Sequence, residues 1–133
     1  MRTHRASWLL LVAWLAVILA PAAVRAADTP KVLSVMTVKV NGSRQAYLEK
    51  IKTFQAIATR LKLPTARIWR GTLAGTATDQ IFIATEYENL AALAAAQAKL
   101  AADPEATQFA REMDTNGMRT VLDRSLFVDD TPQ

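Results

Sequence analysis

The chain has 133 residues, no Cys and one His, His4, with 16 basic against 12 acidic side chains. From residue 27 onward it has neither His nor Cys. That excludes disulfides, thiol nucleophiles, thiolate or imidazole metal sites, Ser-His-Asp triads and His-ligated haem. Carboxylates, Tyr, Lys and Arg are the side chains left for acid–base chemistry.

The N-terminus has the three-part layout of a secretory signal peptide. Arg2 and Arg5 make a basic start, Trp8 to Ala20 is an unbroken apolar run, and Val24-Arg25-Ala26 places short residues at −3 and −1 of a cut before Ala27. A membrane-spanning helix needs ~20 apolar residues, and this run is shorter and ends at Pro21. Residues 1–26 are therefore expected to be a signal peptide and 27–133 a single exported domain, periplasmic or secreted. Cleavage removes Arg2, Arg5 and Arg25, leaving 13 basic residues against 12 acidic. The basic balance is thus largely a targeting property. It gives no reason to expect nucleic acid, which needs a clustered basic face, or a membrane contact after cleavage.

Lys31 to Val40 is rich in β-branched residues and reads as a strand with both faces partly apolar. Val32, Ser34, Met36, Val38 and Val40 share one face, and Leu33, Val35, Thr37 and Lys39 the other. Asn41-Gly42 stops it and Ser43 is an N-cap. Arg44 to Lys62 has helical spacing, with Tyr47, Leu48, Ile51, Phe54, Ala58 and Leu61 on one stripe and Pro64 as the stop. Ala66 to Leu73 is a second strand, Ala74 to Asp79 a hairpin connection, and Gln80 to Glu88 a third strand. In the third strand Ile81, Ile83, Thr85 and Tyr87 oppose Phe82, Ala84, Glu86 and Glu88.

Asn89 caps an Ala-rich helix over Leu90 to Ala102, with Leu93, Ala96 (or Gln97) and Leu100 as its buried stripe. Asp103-Pro104-Glu105 restarts a helix whose stripe is Phe109, Ala110 and Met113, and Asn116-Gly117 stops it. Met118 to Val128 is a fourth strand, followed by an acidic tail. Met36, Met113 and Met118 are expected core fillers.

The order β-α-β-β-α-β, with its second helix broken in two, predicts an α+β, ferredoxin-like fold with a four-stranded antiparallel sheet. Helices cover one sheet face. The other face is apolar in part and has nothing in the chain to cover it, so a homodimer is expected from burial alone.

Two segments, Val38 to Ile51 (VKVNGSRQAYLEKI) and Ala84 to Glu105 (ATEYENLAALAAAQAKLAADPE), carry a resemblance to the dimeric α+β barrel superfamily. The resemblance is to its NIPSNAP-like and antibiotic-biosynthesis-monooxygenase-like branches. It implies a dimeric α+β barrel and allows a cofactor-independent oxygenase or a haem-degrading enzyme. Enzymatic members often place a His on the second helix, where this chain has Ala96. An acidic or aromatic residue often stands two before the strand-end aromatic, where this chain has Thr85. Both departures weigh against inherited catalysis.

Four residues are candidates for a ligand site: Trp69, Arg70, Tyr87 and Glu86. Trp69 is the one Trp after residue 26. It is a pocket wall, or, as the preferred role, a core or dimer-interface aromatic. Tyr87 can donate a hydrogen bond or a proton, with the preferred role of a strand-end Tyr that packs its ring and wets its hydroxyl. Glu86 is the best candidate for a buried carboxylate of raised pKa, with a solvated or salt-bridged role preferred. Arg67 and Arg70 face opposite sides of their strand, as do Asp123 and Arg124 in theirs. No catalytic residue, metal or cofactor is assigned. The reading is an exported homodimer that is non-catalytic or binds a small apolar or aromatic ligand. The alternative is a cofactor-independent monooxygenase acting on an aromatic or quinone-like compound.

Overall fold

In the computed structural model, which describes residues 29–132, the chain runs β1 (Val32–Val40), α1 (Arg44–Arg60), β2 (Arg67–Arg70), a short 3-10 turn (Gly75–Ala77), β3 (Ile81–Tyr87), α2 (Leu90–Ala102), α3 (Pro104–Thr115) and β4 (Arg119–Val128). The expected signal peptide, residues 1–26, lies outside the described residues. The strands form one sheet of order β2-β3-β1-β4 with every neighbouring pair antiparallel. This is the ferredoxin-like α+β arrangement.

Side-chain caps set the helix starts. The Ser43 hydroxyl accepts from the Ala46 N–H at 3.2 Å, Asn89 Oδ1 from Ala92 at 2.8 Å, and Asp103 Oδ2 from Ala106 at 2.9 Å. Each satisfies one of the orphan donors of a first turn. Asp103 is at once the C-cap of α2 and the N-cap of α3.

α1 ends at Arg60, two residues before the expected Lys62. Lys62 takes φ 56°, its N–H bonds to Thr59 O at 3.0 Å, and the Leu63 N–H reaches Ala58 O at 2.8 Å. That is a Schellman stop with Lys in the position usually given to Gly, so the helix closes before Pro64 acts. β2 is also shorter than Ala66 to Leu73. Gly71 still exchanges bonds with the far side of the turn, Gly71 N to Gln80 O at 3.0 Å and Asp79 N to Gly71 O at 2.8 Å. There the chain folds back so tightly that a Cβ on Gly71 would stand 2.3 Å from Ala77 O.

Direct pairing fixes the faces. On the helix side Tyr87, Val32 and Val128 form one row, Ile68, Ile83, Met36 and Arg124 another, and Arg70, Ile81, Val38 and Val121 a third. A bulge in β4 leaves Leu122 unpaired between Val121 and Asp123. The core joins Val38, Ile81 and Ile83 of the sheet to Tyr47, Ile51 and Met113 of the helices. Phe54 and Phe109 stack between α1 and α3 with centroids 5.6 Å apart. Burying a side chain such as Ile81 contributes about 1.5–3 kcal/mol.

The stripes need two corrections. Ile57 joins the buried face of α1, and in α3 Ala106 is buried where Ala110 was expected. Ala106 and Met113 are seven residues apart, so they share one line facing inward. Met36 and Met118 pack against the core as expected.

Candidate functional site

The sheet face opposite the helices is uncovered among the described residues. It carries the rows Glu86-Leu33-Phe127, Arg67-Ala84-Val35-Ser125 and Trp69-Phe82-Thr37-Asp123. Trp69 is 59% exposed and Phe127 55%. Large aromatics so placed, beside Leu33, Val35 and Phe82, make a contiguous apolar patch.

The four sequence-predicted site residues divide between the two faces. Trp69 and Glu86 are on the uncovered face, and Arg70 and Tyr87 are on the helix side. Arg70 pairs with Ile81 at one end of β3 and Tyr87 closes the other end. Six residue steps along the strand separate those ends, roughly 20 Å, so Arg70 and Tyr87 do not act on one small molecule. Glu86 is exposed and accepts from Lys31 Nζ at 3.0 Å, which is the salt-bridged role. The same contact raises the Lys31 pKa above its ordinary value. Tyr87 is half-buried; desolvation raises its pKa, partly offset by a hydrogen bond with the Thr85 side chain. The phenol therefore stays protonated and available as a donor. Arg67 and Arg70 lie on opposite faces, as do Asp123 and Arg124.

A recess at the sheet edge brings two of the four expected residues, Trp69 and Arg70, together with residues that the sequence did not connect to them. It has a volume of about 380 Å3 and is lined by Arg44 and Leu48 of α1, Ile68, Trp69 and Arg70 of β2, and Ile81 of β3. Small-molecule sites usually begin near ~300 Å3. Arg44 and Leu48 are one helical turn apart and so share a face. β2 is an edge strand, which leaves the recess open along its free side. A larger hollow of about 650 Å3 lies along α2 and α3, near Ala101, Pro104, Gln108 and Arg111. Its walls are exposed side chains, and it has no floor of buried apolar groups.

Arg60, Asp103 and Glu105 form an ion cluster that the sequence pattern did not announce. The Arg60 guanidinium donates to both Asp103 oxygens, at 3.0 and 2.8 Å, and to Glu105 at 2.8 Å. The Arg60 hydrogen bond, then the Ala106 N–H, hold the Asp103 carboxyl below its ordinary pKa. A carboxylate depressed in the folded state contributes stability above its unfolded pKa and loses it as pH falls through the folded value. Asp103→Asn keeps a cap acceptor and removes the charge. Thermal melts followed by circular dichroism should show this variant less stable than wild type at pH 7. The gap should close as the pH drops below about 4. A gap that persists at pH 2 would mean that the charge is not the source of the difference.

Among the described residues no group of three or more His, Cys, Asp or Glu is placed to hold a metal ion, and no helix is long and apolar enough to cross a membrane.

No protein-family model matches the sequence, and no curated protein is similar to it. Solved structures are similar in fold. One is an uncharacterised NIPSNAP-like domain protein from Burkholderia xenovorans, 13% identical with a TM-score of 0.55, covering 77% of this chain and 90% of that one. A NIPSNAP family protein from Agrobacterium tumefaciens is 15% identical with a TM-score of 0.55, covering 76% of this chain and 85% of the other. A second from the same organism, of unknown function, is 17% identical with a TM-score of 0.57, over 77% and 90%. The fold is thus that of the NIPSNAP-like α+β proteins. At these identities the likeness carries no activity.

Proposed function

We propose that this chain is an exported homodimer, non-catalytic, that binds a small apolar or aromatic ligand. The observation that carries the reading is the uncovered sheet face, with Trp69 and Phe127 each more than half exposed. A second copy laid on it would bury Leu33, Val35 and Phe82 as well. The face suits a self-complementary contact: Arg67 and Asp123 both lie on it, so a two-fold axis would let each meet the other's counterpart. Export rests on the layout of residues 1–26. The recess at β2 is the place for a ligand, since its floor is apolar and a dimer through the opposite face would leave its helix side open.

The non-catalytic part follows from the side chains available. Residues 27–133 have no His or Cys, and Arg70 and Tyr87 stand at opposite ends of β3. Those two side chains therefore do not act over one point. The near-balance of 13 basic and 12 acidic residues gives no ground for a nucleic-acid partner.

Native mass spectrometry on protein recovered from the exported fraction of its host tests the reading. The expected species is two copies of residues 27–133 with an added small mass. A bare monomer would overturn the dimer, a chain still carrying residues 1–26 would overturn the processing, and a dimer that takes up no apolar compound would overturn the ligand.

A further inference from the structure

The recess between the start of α1 and the edge of β2 is flanked by two arginines, and no carboxylate lines it. Among the described residues neither the Arg44 nor the Arg70 side chain makes a hydrogen bond or ion pair, as is also true of Lys39, Lys62, Arg67, Lys99, Arg111 and Arg124; what sets these two apart is that they line one recess with an apolar floor. Arg44 is also placed against the local electrostatics. It is the first residue of α1, the positive end of the helix dipole, and the first turn holds no acidic residue to offset it. Glu49, one turn on, is engaged with Lys52 at 2.8 Å.

We infer that this recess is a binding site for a small monocarboxylate with an apolar body, its carboxylate held between Arg44 and Arg70 and its body laid on Leu48, Ile68 and Ile81. The inference rests on the proposed reading that the chain binds a small apolar ligand and adds an anionic head to it. The guanidinium fork matches a carboxylate in shape and charge. The α1 N-terminus adds its dipole on the same side. Bound there, the anion would turn the unfavourable position of Arg44 into a favourable one.

The test is isothermal titration of the exported protein with octanoate and with 1-octanol, an uncharged ligand of the same chain length. Arg44→Gln and Arg70→Gln are compared with Arg67→Gln, which lies on the opposite face. Octanoate should bind at least tenfold more tightly than 1-octanol. Arg44→Gln and Arg70→Gln should each weaken octanoate by about tenfold, a tenfold change being about 1.4 kcal/mol. Arg67→Gln should leave it unchanged. The melting temperature of unliganded Arg44→Gln should equal or exceed that of wild type, which a structural role for Arg44 would not allow.

Equal binding of octanoate and 1-octanol, or octanoate binding indifferent to both recess arginines, would overturn the anion site and leave the apolar-ligand reading standing. Binding of neither compound would overturn both. Loss of binding together with a lowered melting temperature in Arg44→Gln would assign that arginine to folding.

Discussion

Phe127→Asp is expected to convert the proposed homodimer into a folded monomer. Phe127 is 55% exposed in the single chain, so a carboxylate there remains solvated and costs folding little, within about 0.5 kcal/mol for an ordinary surface change. In a sheet-on-sheet dimer the same position is covered, beside Leu33 and in the row that ends at Glu86. Losing a buried aromatic anchor typically costs an interface 2 kcal/mol or more, roughly 30-fold in the dissociation constant. By symmetry the loss is counted twice, and the new carboxylate adds like-charge repulsion near Glu86. Sedimentation equilibrium reads the outcome. Trp69→Asp, at the far side of the same face, should act in the same direction. If both variants dimerise as wild type does, the sheet face is not the interface.

Tyr47 should separate size from polarity. Its side chain is fully buried in the core among Val38, Ile51, Ile81 and Met113, and its hydroxyl has no hydrogen-bond partner among the described residues. Tyr47→Ala removes the ring and leaves a cavity, a change that costs about 3–5 kcal/mol for a large aromatic. That is a large share of the 5–15 kcal/mol typical of a whole domain. Tyr47→Phe removes only the orphaned hydroxyl, whose burial costs about 1–3 kcal/mol, and should leave stability unchanged or raised. Urea unfolding at fixed m-value distinguishes the two. A marked destabilisation by Tyr47→Phe would mean that the hydroxyl has a hydrogen-bond partner after all.

Much of the fold was legible because local signals carry it. α2 spans Leu90–Ala102 as expected, since Asn89 and Asp103 are side-chain caps readable without knowing any neighbour. Where the signal was a backbone conformation, the reading slipped. Lys62 takes the left-handed stop of α1 without being Gly, and the hairpin after β2 leaves no room for a Cβ at Gly71 beside Ala77 O, a crowding visible only once the loop is folded. The buried stripe of α3 shifted from Ala110 to Ala106 because small residues at several positions allow either to face inward, and packing against the sheet decides.

The candidate site was harder to read. Strict alternation already separated Trp69 from Arg70 and Glu86 from Tyr87. That Arg70 lies at the Ile81 end of β3, far from Tyr87, depends on the register of β2 against β3, a non-local pairing. The recess arginine Arg44 was invisible for the same reason. Nothing in its own segment says which strand the start of α1 will lie beside.

The bulge at Leu122 has a consequence for which molecule the outside world meets. Were β4 to pair with β1 as a regular strand, every residue after Val121 would exchange sides. Phe127 would turn in toward the helices, Asp123 would press on Met36, and Arg124, Leu126 and Val128 would come out in their place. One unpaired residue therefore selects between two alternative surfaces written in the same ten-residue strand. Deleting Leu122 alone would therefore replace what β4 presents on the uncovered face without substituting any of its other residues.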